Sequence, residues 1–265
     1  MSPAVDNRPI GVFDSGIGGL TVVHALRRLL PHEHIVYLGD TARVPYGTKS
    51  HGTIERYTLQ AGAALQRFDP KLLVIACNTA SAHGLPALEA ASPVPVVGVI
   101  EPGAEAAAAA EGPVGVVGTL ATVQSGAYEA AIRRRAPGKP VHSVACPLLV
   151  GLAEEGWLDD PVTVEVCRRY LAALPPEVRT VVLGCTHYPV LKSAFELARP
   201  GTAWIDSGEV TARAVAERLG RGLGFHDDAP KGDLRVLLTD AGSRLQEVGG
   251  RFLEEPLERV EVVDL

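Results

Sequence analysis

Two short apolar runs that each end in a cysteine constrain the fold of this chain more than any other feature. Leu72–Ala76 leads directly into Cys77, and Val178–Leu183 leads through Gly184 into Cys185. Short apolar runs bounded by small polar residues are typical of buried strands in a parallel sheet. Both thiols are therefore expected at the carboxyl ends of strands, which is where open α/β sheets bind their ligands.

The rest of the chain alternates between similar apolar runs and segments with helical periodicity. The other predicted strands are Pro9–Phe13, His34–Leu38, Pro95–Val99, Pro113–Val117, Val141–Ala145, Thr202–Ile205, Leu234–Thr239 and Val260–Val263. The predicted helices are Leu20–Leu30, Thr53–Phe68, Ala80–Ala90, Ala104–Ala110, Val123–Arg135, Pro147–Gly156, Pro161–Ala173, Val190–Ala198, Glu209–Leu219 and about 243–252. Loops are predicted at Gly39–Gly47 and Gly220–Gly232. This alternation predicts an α/β fold of doubly wound parallel sheets.

A weak internal repeat predicts two similar lobes. Asp14 and Cys77 stand about as far apart in sequence as Thr119 and Cys185, and each cysteine is closely followed by a hydroxyl side chain. Repetition of this kind predicts two related units. We assign residues 1–99 and 210–265 to a discontinuous first lobe and residues 100–209 to the second. The two cysteines would then be two faces of one active site.

Two thiols that face one carbon atom have a direct chemical use. A thiolate can remove a proton from one side of the carbon while a thiol returns a proton on the other, which inverts a stereocentre without a cofactor. Asp14 is expected near Cys77 at a neighbouring strand end, and His187 stands two residues after Cys185. Groups that could hold a substrate carboxylate are supplied by Asn78, Thr79, Thr119, Thr122 and Thr186.

Most of these residues also have a purely structural interpretation. A cysteine at a strand end is frequently a small buried side chain, and His187 could be a hydrogen-bonded structural histidine. Asp14 could cap the following helix, and Thr119 and Thr122 could be ordinary caps. Tyr46, in a Pro-Tyr-Gly turn, could belong to a ligand lid or to a plain turn.

Charge and hydropathy exclude two classes of partner. The formal net charge is −6, and the densest basic cluster is Arg133–Arg135, which argues against a nucleic-acid partner. No apolar run approaches ~18–20 residues, so no membrane-spanning helix is predicted. The first ten residues lack the pattern of a signal peptide. These features predict a cytoplasmic protein.

The cysteines and lysines bear on cofactors and metals. The four cysteines form no CxxC pair, so free thiols are expected, with Cys146 and Cys167 as ordinary core or surface thiols. The spacing of cysteine and histidine matches no common zinc site, so no metal is expected. No lysine ends a strand beside a phosphate-binding loop, which argues against pyridoxal phosphate. A cofactor-free reaction fits the sequence better.

Five motifs together are specific to a known family. They read GVFDSGIGGLTV at 11–22, YLGDTARVPYG at 37–47, IACNTASA at 75–82, GVIEPG at 98–103 and LGCTHYPVL at 183–191. In combination they resemble the glutamate racemases, cofactor-independent members of the aspartate/glutamate racemase superfamily. The resemblance extends from about Pro9 to about Leu219.

The resemblance implies a fold, a reaction and a set of site residues. Two facing α/β lobes would interconvert L- and D-glutamate in the cleft between them, without a cofactor. Cys77 would take the proton from D-glutamate and Cys185 from L-glutamate, with assistance from Asp14, His187 and Glu154. Substrate contacts are implied for Asp14, Ser15, Pro45, Tyr46, Gly47, Asn78, Thr79, Thr119, Thr122, Thr186 and His187. The resemblance further implies a homodimer that supplies D-glutamate for peptidoglycan synthesis.

One departure from the family pattern and two other functions remain open. The chain has Gly151 where the family has proline, which loosens the turn and leaves open whether Glu154 or its neighbour Glu155 takes the acidic role. A racemase of aspartate or of another related substrate could use the same fold. A non-catalytic protein that binds a dicarboxylate in the same cleft is the alternative of a different class.

Overall fold

The computed structural model describes residues 5–226 and 231–265, which form two parallel sheets flanked by helices. The strands are β1 (Ile10–Asp14), β2 (Ile35–Gly39), β3 (Leu72–Ile75), β4 (Val96–Gly98), β5 (Val114–Gly118), β6 (Val141–Ala145), β7 (Thr180–Gly184), β8 (Ala203–Asp206), β9 (Leu234–Leu238) and β10 (Val260–Val262). The helices are α1 (Leu20–Leu29), α2 (His51–Gln66), α3 (Asn78–Ala91), α4 (Ile100–Ala109), α5 (Leu120–Gln124), α6 (Ala127–Arg135), α7 (Leu148–Glu155), α8 (Pro161–Leu171), α9 (Lys192–Ala198), α10 (Ser207–Arg218) and α11 (Leu245–Leu253). The predicted α/β fold with two parallel-sheet lobes is confirmed.

The first sheet has the strand order β10-β9-β2-β1-β3-β4, with every pair parallel. All residues of β1 and β3 are buried, because helices cover both faces of the sheet. Phe13 pairs with Ile75. Asp14 and Cys77 therefore leave the sheet side by side at its carboxyl edge.

The second sheet repeats this arrangement in the order β6-β5-β7-β8. Its first strand, β5, again pairs with the strand that leads to a cysteine, and Gly118 lies opposite Gly184. Thr119 and Cys185 therefore begin neighbouring loops at the same edge.

The C-terminal segment returns to the first sheet. β9 pairs with β2, and β10 pairs with β9. α11 packs against α1, while α10 packs against both α1 and α4. The exact residues at which one lobe gives way to the other stay a prediction, as does the assignment of residues 1–4, which lie outside the described part of the chain.

One apolar core joins the two lobes. A single buried cluster includes Val12 and Leu26 from the first sheet and its helix, Val215 from α10, and Val181 and Phe195 from the second lobe. Separate clusters cover the outer face of each sheet. This shared core packs the two lobes against each other.

Several predicted elements are corrected by the structure. The single helix predicted over Val123–Arg135 is two helices, α5 and α6, because Gly126 has a φ of +64°, which an α-helix cannot continue through. The loop predicted over Gly220–Gly232 begins as a π-helical turn at Leu219–Leu223, and its residues 227–230 lie outside the described part. Short 3₁₀ turns occupy Thr41–Arg43 and Tyr46–Thr48 within the loop predicted over Gly39–Gly47, and Pro189–Leu191 before α9.

Among residues 5–226 and 231–265, no helix combines the length and the hydropathy that crossing a membrane requires. No group of three or more His, Cys, Asp or Glu side chains among the same residues is placed to hold a metal ion.

Candidate active site

Cys77 is the N-cap residue of α3. Its Sγ accepts a hydrogen bond from the backbone N–H of Ala80 at 3.3 Å, and its S–H donates to the hydroxyl oxygen of Ser15 at 3.4 Å. Burial, reinforced by the carboxylate of Asp14, raises the pKa of the Cys77 thiol to about 12, although these two hydrogen bonds oppose the shift. Cys185 contributes to the same increase, which places the two thiols within electrostatic reach of each other.

Asp14 is fully buried at the end of β1. Its Oδ2 accepts a hydrogen bond from the backbone N–H of Gly16 at 3.0 Å, whereas its Oδ1 has no hydrogen-bond partner. Burial raises the pKa of Asp14, and the charge of His187 works in the opposite direction. Asp14 is thus a buried carboxyl group with one free oxygen beside the Cys77 thiol. Its interpretation as the cap of α1 is wrong, because the N-cap residue of that helix is Gly19 and no side chain caps it.

Cys185 has a different set of neighbours. Its Sγ lies 3.8 Å from Nδ1 of His187, and Nε2 of His187 lies 2.9 Å from Oε1 of Glu154. Burial disfavours the charged imidazole, but the hydrogen bonds to Cys185 and Glu154 outweigh it and raise the pKa of His187 to about 10. The hydrogen bond from His187 also lowers the pKa of Glu154. The stable form at neutral pH is therefore an imidazolium that donates to both partners.

The structure distinguishes Glu154 from Glu155. Glu154 reaches His187 at 2.9 Å, whereas Glu155 pairs with Arg244, also at 2.9 Å. Gly151 remains inside α7 and does not break it, so the helix holds Glu154 in place despite the departure from the family pattern.

Gly18 allows the two lobes to meet at the site. A Cβ atom on Gly18 would lie 2.5 Å from Cε1 and Nδ1 of His187 and 2.6 Å from the hydroxyl oxygen of Thr186. Close by, the hydroxyl of Thr21 donates to the backbone oxygen of Thr186 at 2.9 Å. The loop after β1 therefore lies directly against the loop after β7.

Hydroxyl groups from both lobes form one cluster. The hydroxyl oxygen of Thr79 lies 2.9 Å from that of Thr119 and 3.1 Å from that of Thr122, and the latter two are 2.9 Å apart. The hydroxyl of Tyr128 donates to Oδ1 of Asn78 at 2.7 Å, while the buried Nδ2 of Asn78 has no partner. This arrangement provides an oriented amide donor beside a set of hydroxyls, as recognition of a carboxylate requires.

In the Pro45-Tyr46-Gly47 turn, the tyrosine hydroxyl is already paired and the glycine lies close to the second lobe. Tyr46 is buried and donates its hydroxyl to Oδ2 of Asp40 at 2.5 Å, so this hydroxyl already has a partner. Burial, together with that carboxylate, raises the pKa of the phenol. Gly47 approaches the second lobe, because a Cβ there would lie 3.0 Å from Cβ of Thr119.

The structure thus brings the predicted residues of both lobes to one place between the sheets. Cys146 and Cys167 are buried thiols of the apolar core, which agrees with their structural interpretation. The sequence did not predict Tyr128 or Phe252 as site residues. The ring of Phe252 packs edge-on against His187, with the two centroids 5.1 Å apart. A single sequence gives no signal for either residue, because each comes from a helix with ordinary amphipathic spacing.

Comparison with known proteins agrees with this geometry. A sequence model of the Asp/Glu/Hydantoin racemase family matches residues 15–215. The chain is 48% identical to a glutamate racemase of Geobacter metallireducens over 262 residues, which cover 97% of each protein. Among solved structures, it resembles glutamate racemase from Thermus thermophilus in complex with beta-chloro-D-alanine, with a TM-score of 0.89, 45% identity and 99% of both chains covered. It also resembles glutamate racemase from Francisella tularensis in complex with D-glutamate, with a TM-score of 0.92, 36% identity and 98% of both chains covered. A Picrophilus torridus aspartate racemase shares the fold alone, at 18% identity and a TM-score of 0.59.

Proposed function

The chain belongs to the glutamate racemases of the Asp/Glu/hydantoin racemase family, a family of isomerases, and from this premise we propose that Cys77 and Cys185 exchange the α-proton of glutamate. The observation that carries the proposal is the arrangement of two buried thiols with unlike partners. Cys77 has Asp14 beside it, and Cys185 has the His187–Glu154 pair.

The proposed reaction has two proton transfers. The Cys185 thiolate removes the α-proton of L-glutamate, which breaks the C–H bond, forms an S–H bond and leaves the electron pair on the α-carbon. The Cys77 thiol then gives its proton to the opposite face of that carbon and becomes a thiolate. D-glutamate reacts by the reverse sequence. Each step is general acid–base catalysis, which contributes roughly 10²–10⁴-fold to a rate.

The neighbours of each thiol support these roles. An imidazolium next to a cysteine favours the thiolate, so His187 would promote proton removal by Cys185. The raised pKa of Cys77 favours its thiol form. When the thiolate forms, the hydroxyl of Ser15 and the backbone N–H of Ala80 would donate hydrogen bonds to it. Both effects suit the proposed step in which Cys185 removes the α-proton of L-glutamate and Cys77 supplies the new one.

Substrate binding is assigned to the polar groups around the thiols. The unpartnered Nδ2 of Asn78 and the hydroxyls of Thr79, Thr119 and Thr122 would hold a carboxylate at the N-terminus of α3, where the helix dipole favours an anion. The free Oδ1 of Asp14 would accept from the α-ammonium group. The turn Pro45–Gly47, Ser15 and Thr186 would complete the contacts.

Substrate admission requires the lobes to separate. The exposed fractions of Cys77 and Cys185 are only 6% and 5%. Gly18 in the loop after β1 and Thr21 at the start of α1 lie directly against Thr186 and His187 in the loop after β7. We therefore propose that these contacts open for substrate entry and close before the α-proton moves, which excludes water from the carbanion.

The biological setting is also part of the proposal. A cytoplasmic homodimer that supplies D-glutamate for peptidoglycan synthesis agrees with the function of the family. Depleting the protein in its host should create a growth requirement for D-glutamate, and light scattering of the purified protein should give twice the chain mass. Normal growth without D-glutamate or a monomer mass would contradict these two points respectively.

The test of the activity is circular dichroism of L-glutamate and of D-glutamate in separate samples, in reducing buffer without added pyridoxal phosphate. We expect both signals to decay to zero. Cys77→Ser and Cys185→Ser should each lose at least ~10²-fold in turnover, whereas Cys167→Ala, which removes a buried thiol outside the site, should keep the activity. Decay of aspartate alone would assign a different substrate, and binding of glutamate without turnover would favour a binding protein.

A further inference from the structure

α11 reaches the site from outside the segment that the family model matches. This helix spans Leu245–Leu253, whereas the match ends at residue 215. Its buried face includes Val248 and Phe252, and it packs against α1 of the first lobe. Two consecutive side chains of this helix, Arg251 and Phe252, extend across to the second lobe.

Phe252 packs against the ring of His187. The two rings meet edge to face, with an interplanar angle of 75° and 5.1 Å between centroids, and Phe252 is 1% exposed. The backbone of Gly18 also borders the imidazole, since a Cβ there would overlap its Cε1 and Nδ1 atoms. The imidazole is therefore confined by the aromatic ring and by the Gly18 backbone. Rotation that would move Nδ1 away from Cys185 is sterically opposed.

Arg251 holds the end of the helix that carries Glu154. Its Nη1 donates to the backbone oxygen of Glu154 at 3.2 Å, and its Nη2 donates to Glu247 at 3.0 Å. The guanidinium lies against Gly156, where a Cβ would be 2.6 Å from Nη2. A cation at the C-terminus of a helix is favourable because it satisfies terminal carbonyls and complements the helix dipole. The exposed Glu154 side chain thereby has a fixed backbone from which to reach His187.

We propose that Arg251 and Phe252 are positioning residues for the Glu154–His187 pair, so that the C-terminal helix completes the proton relay of Cys185. This inference rests on the proposed function, because it assigns a role within the same reaction. Neither residue has a contact with Cys77 or Asp14 among those that the structure gives. Their effect should therefore be confined to the proton transfer at Cys185.

The equilibrium constant between two enantiomers is unity, so kcat/KM is the same in both directions for every variant. The two proton transfers must instead be separated by kinetic isotope effects. α-Deuterated L-glutamate reports proton removal by Cys185, and α-deuterated D-glutamate reports removal by Cys77. A variant that merely contains less folded protein leaves both isotope effects unchanged.

We expect Arg251→Ala and Phe252→Leu to reduce kcat/KM by ~10-fold, as small misplacement of a catalytic group does. The isotope effect with deuterated L-glutamate should rise, that with deuterated D-glutamate should fall, and Arg251→Lys should recover part of the rate. Arg244→Ala is the matched control, because Arg244 joins the same two helices through Glu155 without touching the relay. Unchanged isotope effects in both relay variants, or equal changes in Arg244→Ala, would overturn the proposal.

A second measurement does not depend on activity. NMR titration of the His187 imidazole should give a raised pKa in the parent protein and a lower one in Arg251→Ala, but no change in Arg244→Ala. If the parent protein does not racemise glutamate and the His187 pKa still responds to Arg251, the proposed function fails and the positioning role stands. If racemisation is found and the His187 pKa is indifferent to Arg251, the positioning role of Arg251 fails alone.

Discussion

Replacing Gly18 with alanine tests whether the two lobes must meet as closely as the structure shows. The new Cβ would lie 2.5 Å from two ring atoms of His187. Carbon atoms in contact prefer about 3.5 Å or more, so the overlap is about 1 Å. Gly18 is not among the glycines with positive φ, so alanine meets no backbone penalty at this position. Any effect must come from the contact.

The imidazole has little room to move away from the new methyl group. Phe252 packs against it edge-on and Glu154 holds Nε2 at 2.9 Å. The overlap must therefore displace His187 from Cys185 or separate the loops after β1 and β7. Displacement on the scale of 1 Å costs ~10²-fold in rate, and overpacking of a well-filled site costs roughly 1–3 kcal/mol of stability.

The assay combines racemase turnover with urea denaturation. Gly18→Ala should lose ~10²-fold in kcat/KM and unfold at lower urea. Gly52→Ala, at a helical position where a Cβ meets nothing within 4 Å, is the control and should lose neither. In a His187→Ala background, Gly18→Ala should cost less stability, since one clashing partner is gone. Wild-type turnover in Gly18→Ala, or an equal stability cost in both backgrounds, would refute the reasoning.

Three further perturbations test other contacts. Tyr128→Phe removes the hydroxyl that orients the Asn78 amide. KM for both enantiomers should therefore rise by up to ~10-fold, the scale of one lost buried hydrogen bond, while kcat should change less. An unchanged KM would exclude a role of the Asn78 amide in substrate binding. The pKa of His187 is raised from 6.5 to about 10 in the folded protein, so the stabilisation that the charged imidazole provides is complete below pH 6.5 and is lost as the pH rises toward 10. Over that window the free energy of unfolding should fall more steeply with pH in the parent protein than in His187→Asn. Parallel profiles would contradict the raised pKa. Lys71→Met leaves the buried Glu33 without its ion-pair partner at 2.7 Å and should lower the free energy of unfolding by roughly 3–5 kcal/mol. The double variant Lys71→Met/Glu33→Met should recover part of that stability, because no unpaired charge is then buried. Equal stability of the single and double variants would count against a desolvated charge at Glu33.

Local patterns were sufficient to predict the strand edges and the residues on them. A strand covered by helices on both faces must be apolar throughout, so β1, β3 and β7 were recognisable, and the residues that follow them had to lie at the carboxyl edges. The proximity of Asp14 to Cys77 follows from the parallel pairing of β1 with β3. This proximity can be predicted without information about the rest of the fold.

Contacts between distant segments could not be predicted in the same way. The contact of Phe252 with His187 depends on how α11 packs on α1, and the choice of Glu154 over Glu155 depends on which side of α7 faces the cleft. The break at Gly126 also escaped prediction, since glycine is tolerated within many helices and only its φ of +64° separates α5 from α6. Each of these features is decided by tertiary packing.

Under the proposed two-thiol mechanism, the unlike neighbours of the two thiols bear on how one enzyme can accept both enantiomers. In that mechanism L-glutamate needs Cys185 as thiolate and Cys77 as thiol, and D-glutamate needs the opposite pair of states. If either pair were strongly preferred, one direction would proceed only from a rare form of the enzyme, since each 1.4 kcal/mol of preference reduces that form about tenfold. Burial and Asp14 raise the pKa of Cys77, but its hydrogen bonds with Ser15 and with the backbone N–H of Ala80 lower that pKa and offset part of the preference for the thiol. Removal of the hydrogen bonds around Cys77 should therefore raise the pKa of Cys77 and disfavour the thiolate that the proposed mechanism requires for D-glutamate.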